Sequence, residues 1–591
     1  MIVPMKKLFL VTQDKDAQAS LEEIRKLGVL HIEHLNAPKG NKLALLNNDS
    51  ALIDQSISLL EGIEKKNIAS LGNKSTAEWH VLARHIIDLH KRYQQLKEYS
   101  TTLSLRIDIL KDWGDFDPQE ISRLRLSGVE IRFYKLSDEQ IGQLPKEVYL
   151  EKINRQGNIN SCLIITQGEV ALQFKEIEMP KDSLSKMQER LIEDYKTVGL
   201  IKKELEGQVV YLEFLKDTRR KIIKEIEFYE ALSGMAQEGS LFYVKGYIPF
   251  DSKETIEKAA QNQGWGFLIT DPLEDDNVPT LVRNPKWLNI INPVFKMIEI
   301  IPGYKELDIS LWFLIFFSIF FGILIGDAGY GIVYFFLTLL AQKKWGQKLK
   351  DKSPFMLLYL LSSCAIIWGI LTATFFGQEW LPIWVKPLVP SLRDNKSMQE
   401  FCFFLGALHL SIAHSWRAIL KFPAFSFLAD IGWILILWTV FLIARFLVLG
   451  DALPGFYTYL IIPGALLVVF FSNPQKNILK SLGSGLGALL LNLMNNFTDV
   501  VSYIRLFAVG LASVAVADTF NKMALSIGFN NFVTGLLTSL ILLVGHLLNI
   551  TLGPLSILVH GVRLNVLEFC THLDIKWSGF SYKPLTEKKT A

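Results

Sequence analysis

The sequence predicts an α-helical membrane protein with about eight transmembrane helices, the last two long and tilted, preceded by cytoplasmic α/β lobes joined by a long antiparallel coiled coil. Two observations predict the membrane part. Half of the 591 residues are apolar, and charge is dense before residue 300 and thin after 310. One chain therefore holds a water-soluble half and a lipid-soluble half. The third observation concerns the soluble half, where short strand–helix–strand patterns stand at both ends of long helical stretches.

The soluble elements follow in order. Residues 5–12 (MKKLFLVT) predict a strand, 14–27 a helix capped by Asp14 and stopped by Gly28, and 29–35 (VLHIEHL) a second strand. The plan returns at 241–270, where LFYVKGYIP and FLIT predict strands and Asp251 with Glu254 predicts a capping box. Pairing of the two units gives a proximal lobe over 1–40 and 238–275. Helical arms are expected over 43–113 and 182–236. In the returning arm Leu184, Met187, Leu191, Tyr195, Val198, Leu205, Val209 and Leu212 form a near-heptad stripe. Strand-like runs VEIRFYKL, VYLEKI, SCLIIT and VALQFKEI predict a distal lobe over 120–180. The soluble domain is thus set at 1–300 and the membrane domain at 301–591.

Several chemistries are excluded or disfavoured. A net charge of +3 implies no nucleic-acid partner. The four cysteines form no CxxC pair and suit apolar filling. His31 and His34 lie three apart on a strand and point to opposite faces. His80, His85 and His90 recur every five residues and leave one helical face. No GxxxxGK[ST] loop occurs, and GSGLG at 483–487 lacks the lysine, so the chain is expected not to hydrolyse ATP itself. No cofactor and no metal is expected. The N-terminus has too short an apolar run for a signal peptide.

Eight spans are expected at 309–326, 328–341, 355–376, 401–420, 427–449, 456–472, 484–526 and 530–570. As one helix, 484–526 would run about 65 Å against a hydrocarbon core of about 30 Å, so it breaks and re-enters or tilts steeply. Pro554 allows a kink in the eighth span. Basic residues collect in 342–354, 413–426 (Arg417, Lys421), 472–481 and the tail after 571, which orients both termini to the cytoplasm.

The chemistry is expected in the last two spans. Arg505 stands in VVSYIRLFAVGLA, about 20 residues from either end of its span, too deep to snorkel. Asn492, Asn495 or Asn496, Asp499, Ser502 and Arg505 recur at three- and four-residue steps as one polar stripe. His546, Asn549, Gly553, Ser556, His560 and Arg563 form a second. Two such helices can face each other across a wet seam. After Arg505 polarity falls to Ser513 and Asp518. The chain's own acids, Asp499, Glu568 and Asp327, are expected off-centre. An arginine cannot carry a proton, so the titrating carboxylate is expected from another subunit, with its pKa lowered by Arg505. The other class considered is a self-contained multi-span ion transporter or channel with a cytoplasmic coiled-coil regulatory domain, which needs its own titratable group at mid-membrane.

SYIRLFAVGLA at 502–512, GHLLNITLG at 545–553, VHGVRLNVLEF at 559–569 and FFGILIGDAGYG at 320–331 resemble the membrane subunit called a in vacuolar ATPases and I in archaeal and bacterial V-type ATPases. VPTLVRNP (278–285) and PGYKELD (302–308) are similar too, and the length suits the shorter prokaryotic form. The resemblance implies a non-catalytic stator in a prokaryotic inner membrane, whose tilted last spans wrap a rotating proteolipid c-ring between two half-channels for protons or sodium. It implies that Arg505 faces the ring carboxylate, that Arg563 is the second buried arginine, and that Glu568 and His560 are polar positions near it. It implies peripheral stalk subunits of E/G type on the soluble lobes, and central-stalk and catalytic-head subunits in the same complex. Three positions depart: vacuolar relatives have Glu where this chain has Gly553, His where it has Ser513, and Pro-Thr where it has Ile309-Ser310.

Overall fold

A computed structural model describes residues 1–63, 78–145, 148–168, 172–347, 349, 351–377, 386–472 and 478–587. The chain is mostly helical and divides into two units, one of residues 1–12, 22–33 and 243–591, the other of 13–21 and 34–242.

The second unit holds a four-stranded sheet in the order Tyr149–Gln156, Ile159–Gln167, Val129–Ser137, Glu176–Ile177. All its pairings are antiparallel, with Val129 opposite Gln167 and Ser137 opposite Ile159. Gly157, at φ +62°, turns the hairpin. Tyr134, Leu136 and Ile164 alternate inward as a strand period requires. The expected strand VALQFKEI shrinks to Glu176–Ile177, and its residues 170–171 lie outside the described set.

Four helices, Asn41–Glu61, Trp79–Leu110, Leu184–Gln208 and Leu212–Ser233, make up most of the rest of that unit. Leu103 and Ile107 pack with Met187, Leu89 with Ile201 and Leu205, and Ile53 and Ile57 with Leu215 and Ile222. Rising numbers on one side meet falling numbers on the other, so the helices run antiparallel. The stripe needs correction: Tyr195 is exposed, and Ile201 takes an inward place. A 3₁₀ turn at Val209–Tyr211 shifts the phase between the two returning helices.

The first unit opens on a sheet ordered His31–Glu33, Leu241–Pro249, Met5–Gln13, Gly266–Thr270. A Cβ on Gly246 would come 2.2 Å from the His31 carbonyl, which is why glycine stands there. The expected cap at Asp14 and capping box at Asp251 do not form. Each segment starts as a 3₁₀ turn, and the helices proper are Ala17–Leu27 and Lys253–Gln263. The C-terminal segment returns to this lobe, where Leu585 donates to Leu30 and Tyr582 to the Thr280 carbonyl.

Among the described residues of the remainder, four helices are long and apolar enough to cross a membrane: Ser353–Thr372, Phe427–Leu449, Leu482–Ile527 and Phe532–His572. Ser310–Ile325 and Ala328–Trp345 form a pair bent by 119°. The bend sits at Gly326, in the left-handed region at φ +65°, and at Asp327, which caps the second helix through the Tyr330 amide at 3.1 Å. Asn395–Lys421 covers the expected fourth span but is not among the four, because its buried face holds His409, Ser411 and His414. Small residues bring these helices together: a Cβ on Gly369 would lie 2.0 Å from the Ala328 nitrogen, and one on Gly510 2.6 Å from the Ile323 carbonyl. The expected seventh span runs as one long helix, Leu482–Ile527, with a single-residue break in its regular pattern at Tyr503, between Ile478–Ser502 and Ile504–Ile527. The expected eighth kinks after Pro554 into two π turns, Ile557–Gly561 and Leu564–Phe569.

Candidate functional site

Arg505 is the second residue after the Tyr503 break. Tyr503 itself is fully buried, its hydroxyl 2.7 Å from His409 Nδ1. His409 is stacked between Phe316 and Phe569 at centroid distances of 3.8 and 4.3 Å. The break is therefore held in an aromatic clamp.

Arg505 Nη2 lies 3.7 Å from Glu568 Oε1, and Arg563 Nε lies 3.6 Å from the same oxygen. Both contacts are longer than a hydrogen bond, so Glu568 is shared between two cations rather than clasped by one. Among the described residues Glu568 is the carboxylate within 4 Å of either guanidinium. Two cations against one anion leave a formal surplus of one positive charge. The Glu568 side chain is 4% exposed while those of Arg505 and Arg563 are 24% and 52% exposed, so the guanidinium groups stand outward of the acid. Glu568 Oε2 has no hydrogen-bond partner.

For Glu568 this replaces the expected off-centre place with one beside Arg505. On a regular helix five residues turn Glu568 about 140° from Arg563. The π turn Leu564–Phe569 closes that gap and aims both side chains at one place.

The two polar stripes also need correction, because they do not face each other along their lengths. The polar contacts run 499 to 572, 505 to 568 and 513 to 549. His546 and Asn549 therefore meet the drier half of the seventh segment, not Asn495, Asn496 and Ser502. Asn549 donates to the Ser513 carbonyl at 2.8 Å and to Tyr330 Oη at 3.1 Å, and Tyr330 Oη lies 2.8 Å from His546 Nδ1. Asn496 is buried and Asn495 exposed, so the stripe passes through the first. His560 precedes Arg563 in the π region, with its Nδ1 unpartnered.

The departure at Gly553 has a steric reason. A Cβ there would lie 2.8 Å from both Tyr334 Oη and Ile325 Cδ1. The tyrosine hydroxyl, which donates to the Ile550 carbonyl at 2.9 Å, occupies the space a longer side chain needs.

One cluster went unnoticed in the sequence. Asp499 Oδ2 lies 3.1 Å from His572 Nε2, His572 Nδ1 2.9 Å from His414 Nε2, and His414 Nδ1 3.2 Å from Asp430 Oδ1. Asp430 also accepts from Arg417 at 2.6 Å and Lys421 at 2.8 Å. Arg417 and Lys421 count as loop charges in the sequence, but both belong to the helix Asn395–Lys421 and are spoken for by a buried acid. A charged i, i+3 pair at the foot of a span (Arg417 and the preceding His414) was the available signal.

Long apolar helices packed around a cluster of arginine and glutamate define a class: a helical membrane protein with buried charge inside it. No family model matches the sequence. V-type ATP synthase subunit I of Borreliella burgdorferi is 32% identical, with all of both chains covered. V-type ATP synthase subunit I 1 of Treponema pallidum is 30% identical, again over the whole of both. A-type ATP synthase subunit I of Methanocaldococcus jannaschii is 27% identical over 58% of this chain and 54% of its own. The chain belongs to the V-type ATP synthase subunit I family. It is a non-catalytic membrane subunit of a rotary ATPase.

Proposed function

We propose that this chain is the ion-translocating stator of its complex. In this reading it forms two offset half-channels for protons or sodium ions against a rotating proteolipid c-ring. Peripheral stalk subunits of E/G type dock on the soluble lobes, and central-stalk and catalytic-head subunits complete the assembly. The observation that supports it most is the surplus guanidinium charge around Glu568, partly exposed at a helix break. A charge at mid-membrane costs about 2.5–3.5 kcal/mol on insertion scales. An incoming ring carboxylate would offset that cost, and a fixed cation would lower its pKa. Asp499, Asn495, Asn496 and Ser502 then line one half-channel, and His546, Asn549 and His560 the approach from the other side. Each elementary charge crossing 100 mV is worth about 2.3 kcal/mol. An arm of antiparallel coiled coil between proximal and distal lobes would resist the matching torque.

The same reading has about eight crossings of a prokaryotic inner membrane with both termini cytoplasmic. Counting the bent pair as two, and adding Asn395–Lys421 and the short apolar helix Gly455–Phe471 to the four long ones, agrees with that number.

Arg505→Ala and Arg505→Lys test the reading. Both are expected to abolish ATP-driven ion uptake by reconstituted complex while assembly persists, and coupled uptake in either variant rejects it. Glu568 favours a second reading, a transporter with its own titratable acid. Ion flux through the isolated chain in liposomes, lost on Glu568→Gln, would select that one.

A further inference from the structure

The buried series Asp499–His572–His414–Asp430 lies to one side of the Arg505–Glu568 site, and its hydrogen bonds fix its proton count. A carboxylate oxygen facing an imidazole nitrogen needs a proton between them, and so does one imidazole nitrogen facing another. Three such contacts stand in line, at 3.1, 2.9 and 3.2 Å. Two neutral imidazoles supply two protons. The series therefore holds a third, on Asp499, His572, His414 or Asp430.

The two ends differ. Arg417 and Lys421 hold Asp430 as a carboxylate, and their two cations against one anion raise the energy of an imidazolium at His414, so a proton held there is released readily. Those cations also block any exit for a proton beyond Asp430. The side chains of Asp430, His414 and His572 are 0%, 4% and 6% exposed, against 22% for Asp499, so exchange takes place at the Asp499 end. The groups run in series, and among the described residues no three converge as metal ligands.

We infer that His414 and His572 are a proton-storage pair attached to Asp499, a closed side arm of the ion path. In the storing step the Asp499 O–H bond breaks as a bond forms to His572 Nε2. The Nδ1–H bond of His572 breaks as a bond forms to His414 Nε2. The products are an Asp499 carboxylate and a His414 imidazolium, with no other reactant, and the return step reverses this. Asp499 stands six positions before Arg505 on the polar stripe, where a held proton can reach the path. The surrounding charged and titratable groups are Arg417, Lys421 and His409 on the His414 helix, Asp430 on Phe427–Ala444, Asp499 on Ile478–Ser502, Tyr503 at the break, and Glu568, Cys570 and Asp574 beside His572. The helix Ser310–Ile325, which packs nearby, brings none. The inference rests on the stator reading for what the proton is used for, but not for its existence.

The test uses the whole purified complex. With ¹⁵N-labelled histidine, the unmodified complex should show one pH-dependent imidazolium signal that vanishes in both His414→Gln and His572→Gln. Neutral imidazoles at every pH between 5 and 8 would overturn the inference, and this measurement needs no variant to fold. In proteoliposomes each variant should pump about tenfold more slowly at pH 8, where free protons are scarce, and within twofold of normal at pH 6. The double variant should be no worse than either single one, since both break one arm. An unchanged pH profile, or an equal loss at all pH values, would equally overturn it. Arg505→Ala separates the two readings: pumping in that variant defeats the stator reading and leaves the imidazolium signal standing. A silent Arg505→Ala with only neutral imidazoles in the unmodified complex defeats this inference alone.

Discussion

At residue scale, Glu568 decides how the two arginines coexist. Removing its charge by Glu568→Gln leaves both guanidinium groups without a carboxylate within 4 Å among the described residues. A loss of about 2–4 kcal/mol is expected from the size of an unpaired charge in lipid, read as a lower dissociation temperature of the purified complex. Adding Arg563→Gln removes the surplus again, so the double variant should be more stable than Glu568→Gln alone. A double variant less stable than Glu568→Gln would mean that Arg563 supports the fold by packing rather than charge. Beside the soluble sheet, in the 3₁₀ turn Lys111–Trp113, Asp112 is buried and accepts from Lys135 at 2.7 Å, Gln156 at 2.8 Å and Ser161 at 3.2 Å. The Lys135 ammonium beside it holds its carboxyl below the usual carboxylate range, against the opposing effect of burial. A depressed folded-state pKa means stability that is present above the ordinary value near 4 and lost as pH falls through the folded one. Asp112→Asn should therefore cost about 2 kcal/mol at pH 7. The gap from the unmodified chain should close below about pH 4, as followed by limited proteolysis of the 129–167 sheet in the full-length protein. Arg505 was legible from sequence because a lone cation in an apolar run has no cheap explanation. Asp430 and His414 were not, because His572 lies 158 residues from His414, and the partners of Asp430 stand on a helix whose polar face looked like a loop.

At element scale, the misread features share one cause, departure from the 3.6-residue period. The π turns bring Glu568 beside Arg563, and the Tyr503 break separates the polar stripe from the drier segment after it. Proline at 554 announced a kink but not its form, since a missing amide frees a carbonyl without saying which wider turn takes it up. Apolar runs reported where helices would be, whereas the antiparallel register that pairs 513 with 549 depends on helix breaks that no periodicity contains. Close approaches are also invisible to period. Gly553 abuts Tyr334 and Ile325, so even one methyl must displace a hydroxyl that is tied to the Ile550 carbonyl. Gly553→Ala should destabilise the protein by about 1–3 kcal/mol, read as a fall in melting temperature in detergent. Trimming the neighbour in Gly553→Ala/Tyr334→Phe should recover part of that loss. No recovery would show that Ile325, not the tyrosine, sets the limit.

At the scale of the whole molecule, charge distribution separates two kinds of chain and also supports the proposed orientation of the membrane part. The basic residues of 342–354 stand after the bent pair, and those of the C-terminal tail after the last long helix. Loops near 327 and 450–455 have no basic residue. Orientation depends on such residues counted close to helix ends. Subtracting Arg417 and Lys421, which the buried Asp430 neutralises in part, leaves five lysines in 342–354 against none in those loops, so the bias keeps its sign. The tail's amides pair with the lobe formed by 1–33 and 241–270, as Leu585 does with Leu30, which requires that tail and lobe share one side of the bilayer. This constraint is independent of the charges and supports the same proposal, an even number of crossings. A reporter that fluoresces only in the cytoplasm, fused after residue 591 of the full chain, should therefore be bright. A thiol placed by Ala452→Cys should react with an impermeant maleimide added outside intact cells. The native cysteines Cys162, Cys402 and Cys570 are buried and Cys364 half-buried, so they give a low background. A dark fusion would break the link between tail and lobe. Silence at 452 together with a bright fusion would instead remove one crossing on each side of 452, with the bent pair a single broken span and Gly455–Phe471 not crossing.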